Sequence, residues 1–171
     1  MSDYWMPQDM HQMARLVTDR EIPDWIESPD VGTVLNIGAG AKHIKNATPL
    51  DLPAWDADSM PIPYGDESIS AIYAIHILEH VVSPVMLLRE CQRVLVPGGT
   101  LNIGVPYWHS MGAHQDLDHK SFFCEETWKT LFMNDYYEKN HDGWKFRIGT
   151  NFLFGLNERN LMLITQLIRT D

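Results

Sequence analysis

Between Thr33 and Lys42 a short β-rich run, T-V-L-N-I, breaks into a turn carrying Gly38 and Gly40. Residues without a Cβ can reverse the chain tightly and let a ligand approach the peptide closely, so this junction reads as a buried strand followed by a glycine loop. A strand of that kind needs neighbours on both sides, and in such sheets a ligand sits beyond the carboxyl ends of the strands. The turn alone also fits a plain chain reversal. A dinucleotide fold is the nearest alternative, but its fingerprint wants a third glycine and an acid about twenty residues further on. Here the third position is His43 and Asp51 comes too early, so nicotinamide chemistry ranks low.

Further along, Ala47 to Leu52 and Ile69 to Ile75 read as two more strands of an α/β sheet. Ser83 and Pro84 make an N-cap and first-turn pair for a helix running to about Leu95, where Pro97, Gly98 and Gly99 stop it. Thr100 to Val105 reads as a strand and Glu125 to about Met133 as a helix with Trp128, Leu131 and Phe132 on its inner face. Trp144 to Phe154 and Leu161 to Arg169 alternate in β fashion around a connection, which predicts an antiparallel pair at one sheet edge. Met10, Met13, Ala14 and Val17 predict an amphipathic helix near the start. The alternation predicts a doubly wound, mostly parallel sheet.

The chain of 171 residues reads as a single domain, with a helical segment over 1–30, a cofactor half over 33–106 and an acceptor side with closing strands over 107–171. Thirteen basic against twenty-three acidic side chains give a net charge of -10, which makes a phosphate backbone or an anionic membrane a poor partner. Cys91 and Cys124 form no ligand motif or disulfide framework, and no apolar stretch approaches a membrane span, so the expected location is the cytoplasm.

Five segments in order carry a stronger signal: L-N-I-G-A-G-A-K at Leu35 to Lys42, L-D-L at Leu50 to Leu52, D-S-M-P-I-P-Y-G-D-E-S at Asp58 to Ser68, Y-A-I-H-I-L-E-H at Tyr73 to His80, and R-E-C-Q-R-V-L-V-P-G-G at Arg89 to Gly99. With this spacing the region resembles the class I S-adenosylmethionine-dependent methyltransferases, in a compact subgroup of the type 11 kind. The resemblance implies a Rossmann-like sheet of seven strands and S-adenosylmethionine as the cofactor. It implies that Gly38, Ala39 and Gly40 cradle the methionine and ribose portion, and that Asp51, beside Leu52, accepts from both ribose hydroxyls. It further implies that Asp58 accepts from the adenine amino group, that Ser59 and Met60 give a backbone donor and an apolar wall, and that His76 faces the cofactor. Asn36 stands where most members carry a carboxylate, Ser70 replaces an aspartate common at the fourth strand, and Lys42 is placed to meet the methionine carboxylate.

The cluster Tyr107, Trp108, His109, His114, Asp116, Asp118 and His119 follows the fifth strand of that reading, on the side where an acceptor enters. Histidines and carboxylates are metal ligands, but the spacing fits no compact ligand motif, so no metal is expected. His119 first, then His109, are the candidate catalytic bases, because histidine takes a proton near neutral pH without large perturbation. The expected function is methyl transfer to a small-molecule acceptor, with a partner protein that completes the site as the other occupant. A non-catalytic module that binds the cofactor is the alternative, favoured by Asn36 and Ser70.

Overall fold

The computed structural model describes residues 32–40, 44, 46–133, 143–155, 159 and 161–171. The helix expected near the start, with Lys42 and His43, lies outside the described residues. The strands are β1 (Val34–Ile37), β2 (Thr48–Leu50), β3 (Ile69–Ile75), β4 (Leu95–Pro106), β5 (Phe146–Phe154) and β6 (Met162–Arg169). The helices are α1 (Pro84–Val94), α2 (Met111–His114) and α3 (Glu125–Met133).

The strands form one sheet in the order β2-β1-β3-β4-β6-β5. The first four are parallel to one another, and β6 pairs antiparallel to both β4 and β5. β1 is buried along its whole length and β3 at all but one position, as continuous apolar strands covered on both faces should be. The terminal pair forms as expected, with β6 placed inside the sheet and β5 at its edge.

α1 begins where its residues dictate. The Ser83 hydroxyl accepts from the Met86 amide and Pro84 occupies the first turn, where a missing N–H costs nothing. Its inner face, Leu87, Leu88, Cys91 and Val94, enters one core cluster with Leu35, Ile37, Ile72, Leu101, Ile103 and Leu163. Each such leucine contributes roughly 1.5–3 kcal/mol by leaving water. The chain then passes straight into β4, and Pro97, Gly98 and Gly99 form an irregularity in its pairing with β3, between the Ile69–Leu95 and Ala71–Thr100 partners. Deeper in, the buried Asn102 spans three strands. Its amide donates to the Ile72 carbonyl at 3.3 Å and its oxygen accepts from Gln166 at 3.1 Å.

Six strands are found among the described residues instead of the seven implied by the resemblance. Between β2 and β3 the chain carries Pro53, Pro61 and Pro63, which cannot donate to a ladder, and Asp56 organises a turn by accepting from the Asp58 amide and the Ser59 hydroxyl. What pins this segment is Arg93 of α1. Its guanidinium grips Glu90 with two nitrogens, at 3.0 and 2.8 Å, and donates to the carbonyls of Ile62 and Tyr64 and to Asp66. Glu90 also accepts from the Ile62 amide, and the Arg93 hydrogen bonds hold its carboxyl below the usual range.

Cys91 is buried in the core while Cys124 is half-buried, and burial pushes the Cys91 thiol well above its ordinary value. One thiol per chain, Cys124, is therefore expected to react with a water-soluble disulfide reagent under native conditions. Cys91 should become titratable only in denaturant. Two fast-reacting thiols would show that α1 is not seated in the core.

Candidate functional site

The glycine turn leaves β1 with Gly38 at φ 63° and Gly40 at φ 51°, a left-handed backbone that side chains resist. A Cβ on Gly38 would come within 2.7 Å of the Ile77 side chain, so its absence lets the turn lie against the loop that follows β3. A Cβ on Gly40 would meet no described atom within 4 Å. Across from it, at the end of β2, the half-buried Asp51 accepts from the Gly40 amide at 2.5 Å and from the Leu52 amide at 2.8 Å. The two amides use one acceptor position on each oxygen. An ionised carboxylate offers about four, so two remain for a diol.

Around this cradle Asn36 and Ala39 are buried, while Leu52 and Met60 present exposed apolar surface. Asp58 is engaged elsewhere: one oxygen accepts from the Val82 amide at 2.7 Å and the other lies 3.6 Å from Lys120 Nζ. The backbone donors expected from Ser59 and Met60 are both turned onto the Asp56 carbonyl. The Ser59 hydroxyl also bonds Asp56, and this bond holds the Asp56 carboxyl below its ordinary range. In this conformation residues 56–60 are a closed turn, tied to the loop after β3 through Asp58.

That loop begins with His76, whose φ of 56° is uncommon for a residue with a side chain and whose amide donates to the Gly104 carbonyl of β4. Its ring nitrogen Nδ1 stands 3.0 Å from Glu79 Oε1. Glu79 is 1% exposed, and its other oxygen, Oε2, has no hydrogen-bond partner among the described residues. Sequence reasoning gave Glu79 no role. The available signal was its i, i+3 spacing from His76 in an otherwise apolar loop.

The acceptor-side segment crosses directly over this loop. The Lys120 amide donates to the Glu79 carbonyl at 2.7 Å, and Lys120 Nζ reaches the His80 carbonyl. These bonds seat the His119 ring edge-on to His80, with centroids 4.7 Å apart. His119 Nδ1 lies 2.8 Å from the Ala113 carbonyl oxygen, which can only accept. Nδ1 therefore carries the proton of the neutral ring and Nε2 is left with its lone pair. His109 is exposed beside Trp108, and His114 is tied to the Trp108 carbonyl and stacked on Phe122. Trp108, Met111, Leu117 and Phe122 give this rim an exposed apolar character suited to an organic acceptor. The structure thus ties Gly38 and Gly40 to the end of β2 at Leu50 and Asp51, His76 to Glu79 and His119 to His80, with His109 exposed beside Trp108.

Residues 34–103 match a family model described as a methyltransferase domain. Over 48 residues the chain is 40% identical to 27-O-demethylrifamycin SV methyltransferase of Amycolatopsis mediterranei, covering 28% of this chain and 18% of that protein. Over 47 residues it is 45% identical to the methyltransferase GfsG of Streptomyces halstedii, covering 28% and 17%. The matched segments thus span a quarter or less of the curated relatives' own length. Among solved structures, the N-methyltransferase NodS of Bradyrhizobium japonicum superposes with a TM-score of 0.61 at 16% identity, covering 96% of both chains. A methyltransferase from Haloferax volcanii, solved with its Trm112 activator, gives 0.60 at 14% identity and covers 95% of this chain and 88% of that one. Sheet order, glycine turn and family match agree: residues 34–103 match a methyltransferase domain, and the fold is the Rossmann-like one shared with the solved methyltransferases.

Proposed function

We propose that this chain transfers a methyl group from S-adenosylmethionine to an oxygen or nitrogen of a small organic acceptor. The observation that carries the reading is the cradle of Gly38, Gly40 and Asp51, where a glycine whose Cβ position meets no described atom is bonded to a carboxylate with two acceptor positions to spare. Asp51 and the turn hold the ribose, Leu52 and Met60 cover the adenine with apolar surface, and His76 borders the cradle from the neighbouring loop. Lys42 and Asn36 are assigned to the methionine end. Asp58 reaches the adenine amino group only if it exchanges its bonds to Val82 and Lys120 for that contact.

When bound, the cofactor would supply a methyl on a sulfonium, whose carbon an acceptor lone pair would attack in line, with a neutral thioether leaving with the carbon–sulfur electron pair. The protein then has two tasks: alignment and removal of the acceptor proton. The apolar rim around Trp108 and Phe122 aligns the acceptor, and His119 through Nε2, or His109 at the mouth, takes the proton. The relatives that lend support include one whose name gives an O-demethylated rifamycin as acceptor and one called an N-methyltransferase. The Haloferax volcanii neighbour with its activator leaves a protein partner as the second arrangement to test.

Calorimetric titration with S-adenosylmethionine, S-adenosylhomocysteine and NAD is the first experiment. Micromolar binding of the first two and none of the third is expected, and binding of NAD alone would sink the proposal. Asp51→Ala should weaken binding of S-adenosylhomocysteine by about 1.5–3 kcal/mol, the worth of hydrogen bonds to a charged group. An unchanged affinity would remove Asp51 from the ribose. Labelled-methyl transfer into fractionated small molecules then tests turnover, and a protein that binds without transferring would be the non-catalytic module.

A further inference from the structure

We propose that Glu79, His80 and His119 form a site for one divalent transition-metal ion of the zinc class. Each offers one ligand atom, and these atoms all lie within 4.8 Å of one another. Around a four-coordinate ion with bonds of about 2.0–2.1 Å, neighbouring ligand atoms stand roughly 3.3 Å apart, so side-chain rotation of about an ångström closes the set. The backbone beneath is already fixed, because Lys120 and Ser121 both donate their amides to the Glu79 carbonyl and Lys120 Nζ holds that of His80.

Two independent details point to a ligand. Glu79 is almost wholly buried, yet its Oε2 has no hydrogen-bond partner among the described residues while Oε1 is occupied by His76. A buried carboxylate oxygen without a donor is unfavourable unless a cation completes it. His119 is held through Nδ1 by the Ala113 carbonyl, the outer bond that fixes a ligating imidazole, and its Nε2 stands 4.0 Å from Asp116 Oδ2. Two imidazoles and one carboxylate select zinc and its neighbours over magnesium or calcium, which prefer all-oxygen surroundings. Three protein ligands leave one coordination position open, beside the rim proposed for the acceptor. Nε2 of His119 cannot hold an ion and a proton together, so with the ion bound the proton falls to His109.

The test uses chelator-stripped full-length protein and zinc chloride alone, titrated by calorimetry against a weak competing chelator. One equivalent should bind, magnesium chloride should not, and Glu79→Gln and His119→Gln should each lower zinc affinity by about 100-fold or more, the upper range for disturbing such a site. His114→Gln, whose ring is bonded to Trp108, should bind zinc as the parent does. Circular dichroism establishes that each variant is folded, and His80→Asn replaces any that is not. Absence of stoichiometric zinc binding, or equal loss in His114→Gln, overturns the site. S-adenosylhomocysteine titration of the stripped protein reads the cofactor proposal separately, so either can fail without the other.

Discussion

Replacing His119 by alanine is expected to lower methyl-transfer turnover by roughly 10²–10⁴-fold, the worth of a positioned general base, while affinity for S-adenosylmethionine stays unchanged. The expectation follows from placement: the ring borders the acceptor rim and is bonded to Ala113, and no hydrogen bond joins it to Gly38, Gly40 or Asp51 among the described residues. Steady-state transfer of labelled methyl, with calorimetry on the same variant, measures both halves. Chelator treatment of the parent separates the two roles open to this side chain. If His119 is a base alone, the stripped parent keeps its rate, whereas a metal ligand makes stripping and mutation equally damaging. A variant that turns over at the parent rate makes His119 structural, and one that loses the cofactor moves it into the scaffold.

Trp128→Ala should destabilise the domain by about 3–5 kcal/mol, since a wholly buried indole leaves a cavity that the surrounding strands cannot close. Trp128 on α3 is 0% exposed and stacks on Phe123 at a centroid distance of 5.6 Å. Its Nε1 has no hydrogen-bond partner among the described residues, so Trp128→Phe removes a buried polar atom along with some volume and should cost much less than alanine. Urea unfolding of the three proteins compares them directly. Equal losses for phenylalanine and alanine would mean that Nε1 is satisfied in solution and carries the effect. A loss below about 1 kcal/mol for alanine would mean that α3 is not part of the core.

What the sequence displayed was whatever depends on local chemistry. Ser83 and Pro84 start α1 because capping is read from neighbours in the chain, and β3 runs from Ile69 to Ile75 as its apolar run implies. The glycine turn was legible because φ near 60° restricts residue type. The missing strand was not, since the resemblance carries a strand across a segment that here is closed by Asp56 and gripped by Arg93 from a distant helix. The pairing of Glu79 with the chain at Lys120 was equally hidden. It joins residues forty-one positions apart, and no period or spacing reports which acidic side chain a crossing loop will bury. Asp58 shows the same limit, because its position suggested a ligand while its bonds to Val82 and Lys120 are long-range.

The position of β6 between β4 and β5 bears on how the protein is made. By the time Pro106 has emerged from a ribosome, the four parallel strands are available, yet β4 presents an unpaired edge. β5 follows it in the chain but pairs only with Met162–Arg169, so two of the six described strands can join only once β6 has been made. A nascent chain halted before Met162 therefore displays a long apolar edge able to recruit a second copy. Arrival of β6 covers the β4 edge and moves the exposed edge of the sheet out to β5.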